Sequence, residues 1–240
     1  MSIFANKLRR ARCPSASAVI VAAGSGTRYG GDKLMAELSG TPVLARTLAV
    51  FQHAPIVGEI VLVVREDALA TAGTLCREYA FDKVRVIVPG GKTRALSCFA
   101  GVMAASDGAE IVAIHDGARP LVTGEIIEKT VWDAYRHGAA VPAVPVRDTI
   151  KMAEDRVVTE TPERSKLFAV QTPQCFHRDV IRGALADAAR NAPEITDDCQ
   201  AVERIGGQIW LSEGSEENLK ITTPLDLALA ELILQRRSNP

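Results

Sequence analysis

Arg28 and Lys33 stand five residues apart in the run AAGSGTRYGGDK, Ala22 to Lys33, which follows a short apolar stretch. A glycine-rich turn leaving a parallel strand presents successive backbone N–H groups as an anion cradle. Glycine suits that turn, because side chains would hold a phosphate away and a positive φ is expected. Two flexible cations beside the cradle could neutralise a nucleoside triphosphate, which carries roughly four negative charges. Attack at its α-phosphorus adds charge to the equatorial oxygens, and the same cations would stabilise it. The competing reading is that Arg28 and Lys33 are solvated loop charges, as most Lys and Arg are.

Two familiar phosphate signatures are absent. The dinucleotide pattern GxGxxG fails at Tyr29, where the third glycine belongs, and no acidic residue stands about 20 positions on to take a ribose. The Walker pattern GxxxxGK[ST] fails at Asp32, which follows Gly31 where lysine is required.

Further groups recur at the ends of apolar runs. The segment Pro89-Gly90-Gly91-Lys92-Thr93-Arg94 repeats the glycine-turn design, with Ser97 one turn inside the helix that follows. On its own the Gly-Gly pair reads as a tight turn. Two such loops on one sheet edge can converge on one ligand beyond the carboxyl ends of parallel strands. In Ile114-His115-Asp116-Gly117-Ala118-Arg119-Pro120, Asp116 stands where a carboxylate could hold Mg²⁺ on a triphosphate; the alternative is a turn-forming Asp. His115 reads as a packed strand-end histidine. Thr196-Asp197-Asp198 fits a helix start, with Thr196 as cap. The four histidines form no triad or paired site.

The elements that must position these groups follow from periodicity. Ala18–Ala23, Glu59–Val64, Val84–Val88, Ile111–Ile114 and Ala139–Val144 are apolar runs suited to strands covered on both faces. Between them lie helical stretches: one opened by Thr41-Pro42 and running to about His53, then Ala68–Tyr79, Thr93–Ala105 and Glu125–Arg136. Thr223-Pro224 opens the last. The alternation predicts a three-layer α/β domain with a mostly parallel sheet.

The rhythm breaks over residues 147–171. Thr149–Met152 and Arg156–Thr161 read as hairpin strands around a polar Ala153–Asp155 turn. Two readings stand: a mobile loop, or an arm that docks on a second subunit. The expected division is a flexible basic tail over 1–17, a domain of 18–146 and 172–236, and this β-hairpin arm. A net charge of −1 offers no field for nucleic acid or an anionic membrane, and no apolar run is long enough to span one. Five scattered cysteines without a CxxC read as reduced cytoplasmic thiols.

Taken together, AAGSGTRYGGDK, PGGKTR with Ser97, HDGARP, PVRDTIK, QTPQCF, TDD and ENLKITTPLDLALAE closely resemble the 2-C-methyl-D-erythritol 4-phosphate cytidylyltransferase family, in that order over residues 18–231. The resemblance implies a Rossmann-like nucleotidyltransferase domain with a protruding β-hairpin arm exchanged in a homodimer. It implies transfer of CMP from CTP to methylerythritol 4-phosphate with release of pyrophosphate, Mg²⁺ as cofactor and a cytoplasmic setting. By motif position, Arg28 and Lys33 would stabilise the triphosphate and the transition state. Ala22, Ala23, Gly24, Ser25, Gly26, Gly91, Lys92 and Ser97 would hold CTP. Asp116, Gly117, Arg119, Thr149, Thr172, Thr196 and Lys220 would meet the substrates, with Asp116 also at the metal. Arg164 would reach the acceptor phosphate of the other subunit. The resemblance favours the arm over the loop. Asp32, Leu34 and Gly117 stand where proline, glutamine and alanine are common in the family. The alternatives are a D-ribitol 5-phosphate cytidylyltransferase and a non-catalytic nucleotide-binding regulator.

Overall fold

The computed structural model describes residues 13–24, 29–192 and 194–238. The chain runs through β1 (Ala16–Ala22), the short pair β2 (Glu37–Leu38) and β3 (Thr41–Pro42), α1 (Val43–His53), β4 (Val57–Val64) and α2 (Leu69–Glu78). Next come β5 (Val84–Pro89), α3 (Arg94–Ala104), β6 (Ile111–Asp116), α4 (Gly124–His137) and β7 (Ala139–Pro145). A hairpin of β8 (Met152–Glu154) and β9 (Val157–Glu160) precedes β10 (Phe168–Val170) and β11 (Gln174–His177). The helices α5 (Arg178–Asn191) and α6 (Asp198–Arg204), the strand β12 (Trp210–Glu213) and α7 (Pro224–Ser238) follow.

In the central sheet β5, β4, β1 and β6 are neighbours and parallel, while β11 lies antiparallel between β6 and β7. The strand β10 pairs antiparallel with the far half of β7, and β12 lies parallel along the opposite edge of β7. The parallel strands β1, β4, β5 and β6 therefore end at one rim, at Ala22, Val64, Pro89 and Asp116.

Both faces of β1, β4 and β6 are covered, which is why their sequences read as continuous apolar runs, while β5 lies at the edge and is partly exposed. Alternate side chains of β1 serve different layers: Ala18 and Ile20 join Leu44, Leu48 and Phe51 of α1 and Ile127 and Val131 of α4. Val19 joins Cys98 and Val102 of α3, Ile181 and Leu185 of α5 and Val202 of α6. Ile20, Leu48, Phe51 and Ile127 are fully buried, each contributing about 1.5–3 kcal/mol. The three-layer α/β architecture expected from the alternation is observed.

Local details differ from expectation. Pro42, not Thr41, is the cap residue of α1, and no side chain caps it. Thr41 pairs with Leu38 in the β2–β3 ribbon instead. At α3 and α4 the hydroxyls of Thr93 and Thr123 accept from Leu96 and Ile126 N–H. The hairpin turn is tighter than Ala153–Asp155: Asp155 and Arg156 both have positive φ, 48° and 68°, as a two-residue turn of primed type requires. The helix α6 is capped by Asp197 rather than Thr196, with Asp197 Oδ1 accepting from Gln200 N–H at 2.9 Å. The strand β1 begins at Ala16, inside the expected tail; residues 1–12 of that tail lie outside the described residues.

Candidate active site

The loops that leave β1 and β5 meet at the rim. A Cβ on Gly90 would stand 2.4 Å from the Ala23 Cβ and 2.9 Å from Ser97 Oγ, and one on Gly91 would stand 2.3 Å from Leu96 Cβ. Only glycine permits this approach. Ser97 closes the second loop from within α3. Its Oγ accepts the Gly91 N–H at 3.1 Å and donates to Thr93 O at 2.9 Å. On the other side of Ala22, Asp32 Oδ1 accepts the Leu34 N–H at 3.1 Å and shapes the turn that carries Lys33.

Asp116, at the end of β6, is nearly buried and faces three cations. Oδ1 lies 2.6 Å from Arg94 Nη1, while Oδ2 lies 2.9 Å from Lys220 Nζ and 3.5 Å from Arg119 Nε. Burial alone would raise this carboxyl, but Arg94, Lys220 and Arg119 together hold it well below the ordinary carboxylate range. Arg94 also reaches Asp198 Oδ2 at 2.8 Å. Burial would lower this guanidinium, yet Asp198 and Asp116 prevail and hold it above its ordinary value.

His115 is the packed strand-end histidine that its position suggested. Burial pushes it down to about 3, so the ring is neutral. A single tautomer satisfies its neighbours: Nε2–H donates to Arg119 O at 3.2 Å, and Nδ1 accepts from the Thr172 hydroxyl at 2.9 Å. The Thr172 oxygen in turn accepts the Asp116 N–H at 3.2 Å. This chain leaves the ring no role as a base, and it fixes the strand end from which Asp116 projects. The buried thiols of Cys98, Cys175 and Cys199 are all pushed up, first by burial, and so are poor nucleophiles.

These groups surround a cleft of about 430 Å³, lined among others by Ala22, Ala23, Gly24, Lys33, Gly91, Lys92, Ser97, Asp116 and Lys220. Other surface clefts are of similar size, but the one between α1 and α4, with Val50, His53, Pro55 and Glu128, presents no Lys or Arg. In another, Lys129 and Arg237 are offset by Glu213 and Glu217, which pair with them, and by Glu125. Convergent cations distinguish the first as an anion site.

A family model described as IspD, 2-C-methyl-D-erythritol 4-phosphate cytidylyltransferase, matches residues 16–236. The chain belongs to this family. It is 45% identical over 222 residues to the 2-C-methyl-D-erythritol 4-phosphate cytidylyltransferase of Clostridium novyi, covering 91% of this chain and 96% of that one. The corresponding protein of Bacillus licheniformis is 43% identical over 219 residues, with 90% and 94% covered. The crystal structure of a 4-diphosphocytidyl-2C-methyl-D-erythritol synthase from Anaerococcus prevotii superposes with a TM-score of 0.81 at 32% identity, covering 92% of this chain and 99% of that chain. The fold is the α/β nucleotidyltransferase fold of the cytidylyltransferase family.

The residues expected from the family motifs fall into three groups. Ala22, Ala23, Gly24, Lys33, Gly91, Lys92, Ser97, Asp116 and Lys220 line the one cleft. Arg119 joins it indirectly, through Asp116 and through Nη1 donating to Asn218 O at 2.7 Å. Ser25, Gly26 and Arg28 lie outside the described residues.

The remaining expected residues stand apart from the cleft lining. Gly117 is buried, its N–H donating to Val21 O and its carbonyl accepting from Thr47 Oγ1. It braces the β1 and β6 ends rather than presenting groups to the cleft. Thr172 is also buried, its hydroxyl committed to His115 and Asp116. Thr149, Thr196 and Arg164 are exposed, and Arg164 Nη1 donates to Arg147 O at 3.1 Å. As for the metal, Asp116 has both oxygens engaged by cations, and among the described residues no group of three His, Cys, Asp or Glu could hold an ion.

Sequence reasoning missed Arg94 and the importance of Asp198. A signal was present: Arg94 is the first residue of α3, where the helix dipole disfavours a cation unless carboxylates compensate it.

Proposed function

We infer that the protein transfers CMP from CTP to 2-C-methyl-D-erythritol 4-phosphate, giving 4-diphosphocytidyl-2-C-methyl-D-erythritol and pyrophosphate. Family membership carries the activity. The observation that supports it at the site is the convergence of Lys33 and Lys220, from distant parts of the chain, on one cleft with the two glycine loops and Asp116.

The acceptor is a phosphate monoester with a second pKa of about 6, so it is largely a dianion at neutral pH. One of its oxygens bonds to the α-phosphorus of CTP, and the bond from that phosphorus to the bridging oxygen of pyrophosphate breaks. No proton moves from the nucleophile, in keeping with a cleft whose described lining residues include no histidine and no cysteine. The protein's part is to hold two like-charged reactants in line and to screen their repulsion. On this reading the backbone at Ala23, Gly24 and Gly91 cradles the triphosphate. Lys33, with Arg28, meets the charge that grows at the α-phosphorus. Lys220, fixed by Asp116, faces the acceptor phosphate, and Arg164 reaches that phosphate from a partner subunit.

Magnesium would screen the triphosphate oxygens. Asp116 is the one carboxylate among the described lining residues. With three cations around it, it suits an ion that arrives on the triphosphate, held mainly by phosphate and water, rather than a resident metal.

We propose a homodimer joined through the β8–β9 arm. Those strands pair only with each other and leave Met152, Val157 and Val158 exposed. A cytoplasmic setting agrees with five unpaired cysteines, and no described helix is long and apolar enough to cross a membrane.

The deciding assay offers the purified protein with Mg²⁺ each of CTP, UTP and GTP against methylerythritol 4-phosphate and ribitol 5-phosphate, and follows pyrophosphate. Turnover is expected with CTP and methylerythritol 4-phosphate. Faster turnover of ribitol 5-phosphate would reassign the acceptor, and CTP binding without pyrophosphate from either acceptor would leave a nucleotide-binding regulator.

A further inference from the structure

Arg94 joins three parts of the site: the second glycine loop, the end of β6 and the start of α6. It opens α3 directly after the loop of Gly91 and Lys92, and Ser97, one turn on, fixes that loop through the Gly91 N–H. Its guanidinium spans two carboxylates, 2.6 Å from Asp116 Oδ1 and 2.8 Å from Asp198 Oδ2. The second of these is the first residue of α6, and its own N–H donates to Gln174 Oε1 at 2.9 Å. The Asp198 side chain is 1% exposed and Asp116 9%, against 23% for Arg94. On its other oxygen Asp116 holds Lys220 and Arg119.

Such an arrangement has a mechanical consequence. Asp116 has cations on both sides, so on a strand end fixed by Thr172 and His115 its carboxylate turns towards whichever cation is held more rigidly. Asp198, anchored at the start of α6, fixes one side of the Arg94 fork; the first turn of α3 fixes its base. Any displacement of the nucleotide loop therefore moves the guanidinium, and Asp116 and the Lys220 ammonium with it. A lysine could not reproduce this, because a single ammonium lacks the planar fork that reaches two carboxylates.

We propose that Arg94 is a positioning residue that couples the nucleotide loop to Lys220, acting through Asp116. This rests on the cytidylyltransferase reading of the same cleft, in which Lys220 faces the acceptor phosphate. Arg94 sets where that ammonium stands when the nucleotide loop is in place. It takes no part in the bond changes.

The test is a double-mutant cycle on the full-length enzyme, pairing Arg94→Lys with Lys220→Ala. Kd for CTP, kcat and KM for the acceptor, and Tm are measured for each variant. Arg94→Lys alone should lower kcat at least 10-fold while leaving the Kd of CTP within about 3-fold. With Lys220 already removed, Arg94→Lys should lower kcat by less than 3-fold, since its effect passes through that ammonium. Effects that multiply in the double variant would overturn the proposal, as would an Arg94→Lys enzyme of lowered Tm but unchanged kcat. Weakened CTP binding with kcat intact would overturn it too, by placing Arg94 on the nucleotide. Should Arg94→Lys not fold, Asp198→Asn, which releases one side of the fork, replaces it with the same expected pattern. Wild-type enzyme without turnover would refute the assignment of activity, a result distinct from any of these.

Discussion

The Lys220 ammonium lies 2.9 Å from Oδ2 of Asp116, so the cation before α7 is held by the last residue of β6. Asp116 thus acts first as an anchor for positive charge. Removing one partner from a buried ion-pair cluster costs about 3–5 kcal/mol, because the remaining charges lose their compensation. Asp116→Asn keeps the shape and removes the charge. It should lower the midpoint of urea unfolding and reduce kcat by about 10–100-fold through misplacement of Lys220. An Asp116→Asn enzyme with wild-type midpoint and kcat would remove the anchor role.

Lys33 lines the same cleft from the turn shaped by Asp32. If Lys33 meets the transition state more closely than the ground state, as proposed, Lys33→Ala should reduce kcat by more than about 100-fold. Its CTP affinity, read by calorimetry, should change far less. A matching loss of affinity with kcat preserved would place Lys33 in ground-state binding alone.

Acid should weaken the fold through His115 before it does so through Asp116. His115 has its folded pKa depressed from 6.5 to about 3. The neutral ring is therefore favoured in the fold, and its contribution is complete above 6.5. It falls away as pH drops from 6.5 towards 3, because the unfolded chain takes up a proton that the fold refuses. Asp116 is also depressed in the fold, so its contribution is present above 3.8, its ordinary value, and is lost only below it. Between pH 6 and 4, His115 should give a slope of about 1.4 kcal/mol per pH unit in unfolding free energy. In His115→Gln that slope should flatten by one proton, whatever the variant's absolute stability. An unchanged slope would show that the ring titrates normally in the fold.

Much of this was legible in the sequence because the physics is local. Val- and Ile-rich runs covered on both faces announce parallel strands, and Thr93 and Thr123 cap helices by short-range geometry. Asp116 ends such a run, and the loops of Lys33 and of Gly91 with Ser97 follow two others, so their motifs could be assigned to one rim. Lys220, seven residues past β12, owed its expected place to the family resemblance alone. What escaped depends on long-range pairing. The strand β11, Gln174–His177, follows Pro173 and is only four residues long. It is a strand because β6 and β7 flank it, and nothing in its own composition says so. The strand β12 likewise exists through β7. Thr172 and Gly117 belong to the family motifs, yet their polar groups are consumed by His115, Asp116, Val21 and Thr47. A motif gives a residue's place in the chain but does not say whether it faces ligand or neighbour.

Close approach of the two loops gives a test that leaves every charge untouched. In Gly90→Ala the new methyl would meet Ala23 Cβ at 2.4 Å, and the β1 and β5 exits must part. The layers beneath do not depend on that contact, so the protein should fold with a Tm within a few degrees of wild type. Separating the cradles should raise the KM for CTP at least 10-fold, about 1.4 kcal/mol of lost binding. Unaltered nucleotide affinity would mean that the loops do not act together on the triphosphate.

The hairpin offers the last test, because its hypothesised partner is another copy of the chain. Val157 and Val158 are 68% and 55% exposed on β9, an apolar surface that a lone subunit would leave in water. Val158→Asp should therefore shift sedimentation from dimer to monomer. If Arg164 serves the neighbouring subunit's cleft, Arg164→Ala and Lys33→Ala impair different sites of a mixed dimer. Subunits of the two inactive variants, exchanged to random pairing, give dimers half of which are mixed, each with one intact cleft. Roughly a quarter of wild-type activity should then return. No recovery on verified exchange would place Arg164 in its own subunit's cleft or outside the reaction.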